Sequence, residues 1–156
     1  MESVPFILSL GSNQGDRAGY LRLGLAYLGD RIVVDAISRT IETAPWGPVT
    51  QPHFLNLALR GHGAPDPFAL LAWAREAELS AGRVRGVRFG PRTLDVDIIF
   101  FGGLVLETPS LTLPHPRWEG RPFVRDLLAE VAGDLRDPRT GKALAGMAAA
   151  AKEWGA

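Results

Sequence analysis

Arg88-Phe89-Gly90-Pro91-Arg92-Thr93-Leu94-Asp95-Val96-Asp97-Ile98-Ile99-Phe100-Phe101 is the most informative stretch of the chain. Residues 93–101 read as a strand, and Gly102-Gly103 then makes a turn into 104–106, which predicts a hairpin. Side chains alternate faces along a strand, so Asp95 and Asp97 point the same way, roughly 7 Å apart. Val96, Ile98 and Phe100 then point the other way, into a core. Aspartate is disfavoured inside strands, and two on one face repel each other and lose hydration when half buried. A solvated strand face would relieve this, as would a pair with Arg92. A hard divalent cation would do so too, because Mg²⁺ commonly takes one or two carboxylates plus substrate phosphates.

Just upstream, Arg83, Arg85, Arg88 and Arg92 are interleaved with Gly82, Gly86 and Gly90. The guanidinium fork makes paired, charge-assisted bonds to phosphate oxygens. Glycines let a loop close over a ligand, and 82–91 reads as the longest mobile loop. Two aspartates for metal and several arginines for phosphate are the parts that phosphoryl transfer needs. A solvated basic loop is the alternative.

Outward from that strand the chain alternates strands and helices. Residues 4–10 form a short apolar run that reads as a buried strand. Asp16 stands at an N-cap position, Leu21, Leu25 and Leu28 follow at helical spacing, and Gly29 is a stop. Residues 31–41 are rich in β-branched side chains and predict one long strand, 43–52 a loop, and 54–60 another strand. Asp66-Pro67 opens a helix whose apolar side carries Phe68, Leu71 and Leu79. Pro122 opens another, with Val124, Leu127, Leu128 and Val131 on its buried side, and the Ala-rich 143–152 suits a final helix. The order β-α-β-β-α-β predicts an α+β fold. It is a ferredoxin-like split βαβ plan with a mainly antiparallel sheet covered by helices, plus an added hairpin, in a single domain over 1–156.

Composition narrows the function classes. The chain has 156 residues, 46% of them hydrophobic, enough for one core without staples. Seventeen basic residues balance seventeen acidic ones, so no global field is available to hold nucleic acid or an anionic membrane. Cysteine is absent, which excludes disulfides, thiol catalysis and cysteine-ligated zinc and suits a cytoplasmic protein. No stretch approaches the ~20 apolar residues of a membrane span.

Other residues add to the picture. Gly11-Ser12-Asn13-Gln14-Gly15-Asp16 follows a strand and precedes a helix but lacks the Lys-Ser/Thr of a P-loop, so Asn13 reads as an Asx cap in a tight turn. His115 sits between two prolines, with Arg117 and Arg121 beyond it, and suggests a phosphate-side role. His53 and His62 make no zinc site. Glu78 lies one helical turn after Arg75, as a surface ion pair would. In Gln51-Pro52-His53-Phe54-Leu55-Asn56, Phe54 and Asn56 share a strand face. An aromatic ring can stack on a flat heterocycle, and an amide can read its donor–acceptor edge.

Together these motifs resemble the 6-hydroxymethyl-7,8-dihydropterin pyrophosphokinase family of folate biosynthesis. The resemblance runs from Leu8-Ser9-Leu10-Gly11-Ser12-Asn13 to about Glu130. It is most specific at Gly90-Pro91-Arg92-Thr93-Leu94-Asp95-Val96-Asp97, Gln51-Pro52-His53-Phe54-Leu55-Asn56 and Leu113-Pro114-His115-Pro116-Arg117. It implies Mg²⁺-dependent transfer of pyrophosphate from ATP to the pterin alcohol, with release of AMP. It implies two Mg²⁺ ions on Asp95 and Asp97, Arg83 and Arg92 on the transferred pyrophosphate, and His115 and Arg121 on other phosphate oxygens. Glu78 would face the ribose and Ile98 the adenine. Thr43, Ala44, Trp46 and Asn56 would read the pterin edge, with the ring between Phe54 and Phe123. Small-molecule substrates are the expected partners of a monomer, with no nucleic acid and no membrane. Phe89 stands where the family often has Trp, and Gly120 where it usually has Glu. Another ATP-dependent transferase on the same frame, an RNA-binding module and a purely structural domain are the rivals. Neutral charge and the lack of an aromatic-interleaved RNA motif speak against the second.

Overall fold

The computed structural model describes residues 4–45, 50–82, 93–116, 118 and 122–144, and for 122 and 123 the backbone only. Strands β1 (Phe6–Ser12), β2 (Val33–Ile37), β3 (Ile41–Thr43), β4 (Phe54–His62) and β5 (Asp95–Phe101) form one antiparallel sheet. The order is β2-β4-β1-β5, with β3 also pairing β4. Helices α1 (Arg17–Gly29) and α2 (Pro67–Ser80) cover one face and α3 (Pro122–Ala132) the other. This is the expected α+β, ferredoxin-like plan.

Each face has its own core. Leu8, Leu10, Leu57, Leu59, Val96 and Ile98 meet Leu21, Leu28, Leu70, Ala74 and Ala77 under α1 and α2. Ile7, Ala58, Ile99 and Phe100 meet Trp118, Val124, Leu127, Leu128 and Val131 under α3. Each fully buried aliphatic side chain of α3 contributes about 1.5–3 kcal/mol, so the four predicted at its buried side suffice to dock it.

The caps follow the sequence. Asp16 Oδ1 accepts the Gly19 N–H at 3.1 Å. Asp66 Oδ1 accepts those of Phe68 and Ala69 at 2.9 Å each, with Pro67 at the first helical position.

Four expectations are corrected. Residues 31–41 are two strands, because the Ser38 hydroxyl enters the ladder and accepts the Ala58 N–H at 2.8 Å in place of a carbonyl. The buried side of α2 carries Leu70, Ala74, Ala77 and Glu78, while Phe68 and Leu79 are 46% and 70% exposed. Small alanines bring this helix close to the sheet beside Leu70, Leu71 packs at the margin of the core, and Phe68 and Leu79 are left outside.

The hairpin is also different. Gly102, in the left-handed region at φ 53°, leads the chain away from β5. The pairing is instead between β6 (Leu106–Glu107) and β7 (Thr112–Leu113), closed by Thr108 and Leu111. Finally, Phe100 does not share a face with Val96 and Ile98. The β1–β5 register shifts between Ile7 and Leu8, and this bulge turns Phe100 to the α3 side. There it meets Trp118 edge-on at 5.2 Å. The predicted tail helix beyond residue 144 and the loop beyond Gly82 lie outside the described residues.

Candidate active site

The site is laid out by the register of three strands. Gly11 stands opposite Asn56 on β4 and opposite Asp95 on β5. Two residues earlier, Ser9 stands opposite Ala58 and Asp97. Ala58 and Ile99 belong to the α3-side core, and alternation puts Asn56, Asp95 and Asp97 on that same face. Amide and carboxylate are thus two strand spacings apart, about 10 Å. Gly11 contributes no side chain between them. A Cβ there would lie 2.6 Å from Asn56 Oδ1 and 3.3 Å from Phe54 Cδ1, so the glycine is what lets the amide and the ring lean over β1.

At the β4 end, Asn56 and Thr43 are buried, and Asn56 Nδ2 donates to Thr43 Oγ1 at 2.6 Å. Ala44 is exposed beyond them, and Phe54 is half-buried. The Asn13 side chain reaches well beyond the turn in which the sequence places it. It is fully buried, and its Nδ2 donates to Gln51 Oε1 at 2.7 Å and to the Pro52 carbonyl at 2.9 Å. Arg17 Nη1 donates to the His53 carbonyl at 2.9 Å and pairs with Glu42 at 3.1 Å. The end of β1 and the start of α1 therefore hold the segment that delivers Phe54 and Asn56. Sequence reasoning missed this clamp, because nothing local to Asn13 marks a partner 38 residues away.

At the β5 end, Asp95 and Asp97 are half-buried neighbours on one face. Their donor set is all oxygen, which fits a hard cation. Among the described residues no group of three or more His, Cys, Asp or Glu could hold a metal. A cation here would take two carboxylates from the described chain and fill its shell from water and substrate. Val96 lies between them. Its N–H donates to Glu78 Oε2 at 2.9 Å, and Arg75 Nη1 donates to Glu78 Oε2 at 3.0 Å and to the Val96 carbonyl at 3.1 Å. The Arg75–Glu78 pair is therefore formed as expected but not at the surface: Glu78 is 2% exposed.

Along the outer edge of β5 runs a cavity of about 190 Å³, lined among others by Arg75, Asp97, Ile98, Thr112 and His115. Ile98 reaches it from the α1/α2 core. His115 is held there by its backbone N–H, which donates to the Ile99 carbonyl at 2.9 Å. The fold thus brings Asp97, Ile98 and His115 to one cavity, and Thr43, Phe54 and Asn56 to the next strands. Arg83, Arg92, Arg121 and Trp46, with the Phe123 side chain, lie outside the described residues.

Comparison with known proteins bears on the fold and the family. A solved structure described as HPPK-DHPS in complex with substrates superimposes with a TM-score of 0.74 over 96% of this chain, at 11% identity, and so supports the fold alone. The chain spans 43% of that protein. It is 40% identical over 142 residues to the 2-amino-4-hydroxy-6-hydroxymethyldihydropteridine pyrophosphokinase of Bacillus subtilis (strain 168), covering 90% of this chain and 84% of that one. It is 43% identical over 129 residues to the protein of the same name from Mycobacterium leprae (strain TN), covering 76% and 66%. It is 41% identical over 119 residues to the bifunctional protein FolKE of Lactococcus lactis subsp. lactis, covering 75% of this chain but 34% of that longer one. The family model described as 7,8-dihydro-6-hydroxymethylpterin-pyrophosphokinase (HPPK) matches residues 7–133. The chain belongs to the 7,8-dihydro-6-hydroxymethylpterin-pyrophosphokinase family.

Proposed function

We propose that this chain catalyses Mg²⁺-dependent transfer of pyrophosphate from ATP to 6-hydroxymethyl-7,8-dihydropterin, releasing AMP, as a step of folate biosynthesis. The observation that carries it is the β4–β1–β5 register, which sets a buried amide and two carboxylates on one sheet face across a glycine. Family membership supports the reaction class.

In this reading Asn56, tied to Thr43, and the exposed backbone near Ala44 read the pterin edge, with Trp46 beyond. The ring lies between Phe54 and Phe123. The nucleotide occupies the cavity along β5, with the adenine against Ile98 and the ribose on the Glu78 side. His115 and Arg121 meet phosphate oxygens, and Arg83 and Arg92 the transferred group. Asp95 and Asp97 hold Mg²⁺, two ions in all, whose chemistry when bound is to neutralise phosphate charge and orient the reacting oxygens. The pterin hydroxymethyl oxygen attacks the β-phosphorus, and the bond from that phosphorus to the α-phosphate oxygen breaks. The hydroxyl proton leaves to solvent. The chain supplies positioning and charge and no covalent nucleophile.

The test is AMP formation from MgATP with and without the pterin. Pterin-dependent AMP is the expected result. ADP in its place, or AMP that ignores the pterin, would overturn the proposal.

A further inference from the structure

Two side chains of helix α2 bond the backbone of strand β5 at Val96, the residue between the two carboxylates. β5 is an edge strand whose inner side pairs with β1. In an antiparallel pair the backbone groups of successive residues point alternately toward and away from the partner. The Val96 N–H and carbonyl point outward, to Glu78 and Arg75. Those of Asp95 and Asp97 therefore point inward, toward Gly11 and Ser9. The Asp95-Val96-Asp97 backbone is held from both sides, by a ladder on the inside and a side-chain pair on the outside.

A fully buried carboxylate is a costly way to close a strand edge unless its bonds are complete. Here Glu78 accepts two of them, from a backbone amide and from a guanidinium. The Arg75 guanidinium in turn reaches both the carboxylate and the Val96 carbonyl and lines the cavity beside Asp97. The separation of two side chains on one strand face depends on the backbone angles of the single residue between them. Like charges at that spacing tend to splay, and Mg²⁺ demands near-ideal octahedral geometry.

We propose that Glu78 and Arg75 are positioning residues that set the distance and direction of Asp95 and Asp97 for the divalent cation. This rests on the metal-binding reading of those two carboxylates. Partners behind a ligand typically change metal affinity 10–100-fold when removed.

The experiment measures Mn²⁺ bound to the protein by electron paramagnetic resonance. ATP is saturating for each variant and no pterin is present, so turnover does not enter. The parent is compared with Asp95→Asn, Glu78→Ala, Glu78→Gln and Arg75→Met, each checked for fold by circular dichroism. Asp95→Asn should lose bound Mn²⁺. Glu78→Ala and Arg75→Met should weaken it about 10–100-fold. Glu78→Gln should recover most of the loss, because its amide oxygen still accepts the Val96 N–H.

A folded Glu78→Ala or Arg75→Met protein that keeps parental Mn²⁺ affinity, while Asp95→Asn has lost it, overturns the positioning role and leaves the metal site standing. Parental affinity in Asp95→Asn overturns the metal reading and the positioning role with it. If Glu78→Ala fails to fold, Arg75→Met decides between the same outcomes.

Discussion

Gly11 and Asn56 face each other across the β1–β4 ladder, and the Asn56 amide oxygen occupies the space that a side chain on Gly11 would need. Asn56 cannot retreat freely, because its Nδ2 is bonded to Thr43 and both residues are buried. Gly11→Ala should therefore displace the amide. Overpacking of this kind costs about 1–3 kcal/mol. Pterin affinity should fall at least about tenfold, which is only ~1.4 kcal/mol of lost amide recognition. Nucleotide affinity should stay near parental. Calorimetric titration with each ligand, beside a thermal melt, checks this. Unchanged pterin binding would remove Asn56 from the pterin site.

Asp95 and Asp97 are adjacent on one face and half-buried. Replacing either with alanine shortens a half-buried side chain and leaves the apolar residues of both cores in place, so the fold should survive. Turnover should not. Metal polarisation is worth several kcal/mol, which corresponds to a rate loss of about a thousandfold or more. Single-turnover AMP formation at saturating Mg²⁺ is the measurement. Normal turnover in either variant would sink the metal role.

Asn13 joins the end of β1 to the segment that leads into Phe54 and Asn56. Asn13→Ala leaves the Gln51 amide oxygen and the Pro52 carbonyl without that donor. Both bonds are part-buried, and a net hydrogen bond contributes about 0.5–1.5 kcal/mol, so unfolding in urea should move to a lower midpoint. The KM for pterin should rise while the KM for ATP holds, because the cavity proposed for the nucleotide lies on the far side of β1 from this clamp. A rise confined to ATP would show that the clamp serves something else.

How far the sequence could be read depends on the range of each cause. Local causes were legible. Asp16 and Asp66-Pro67 announce their helices because a cap acts within three residues. Asp95 and Asp97 announce a shared face because strand alternation is a property of the backbone. Long-range causes were not. The bulge that carries Phe100 to the α3 side comes from pairing with β1 around Ile7 and Leu8, and the local pattern of β5 reads straight through it. Glu78 reads as half of a surface pair because i,i+3 spacing says nothing of which side the helix buries. Its amide partner, Val96, is 18 residues away. The same limit hid the Gly11–Asn56 contact, which exists only once β1 and β4 are in register. The phosphate role proposed for Arg83, Arg92 and Arg121 stands on the family resemblance, and for the first two on their glycine-rich setting.

Far along β4 from the proposed pterin end, a charged pair helps to tie down the end of α3. Arg60 reaches from β4 to Asp134 at 2.5 Å and to the Val131 carbonyl, in the last turn of α3, at 3.3 Å. The hydrogen bond from Arg60 holds the Asp134 carboxyl below the usual aspartate range. A carboxyl with a lowered folded-state value stabilises the fold above its unfolded value. That contribution fades as the pH falls through the folded value. Asp134 is largely solvated, with a side chain 66% exposed, so the pair is worth under about 1 kcal/mol. Asp134→Asn should thus lower the melting temperature at pH 7 by no more than about 2–4 °C. The gap between parent and variant should close as the pH is taken from 5 down through the aspartate range, where the parent's own carboxyl is protonated. A gap that persists or widens in acid would mean that the charge on Asp134 is not what holds Arg60 to the end of α3.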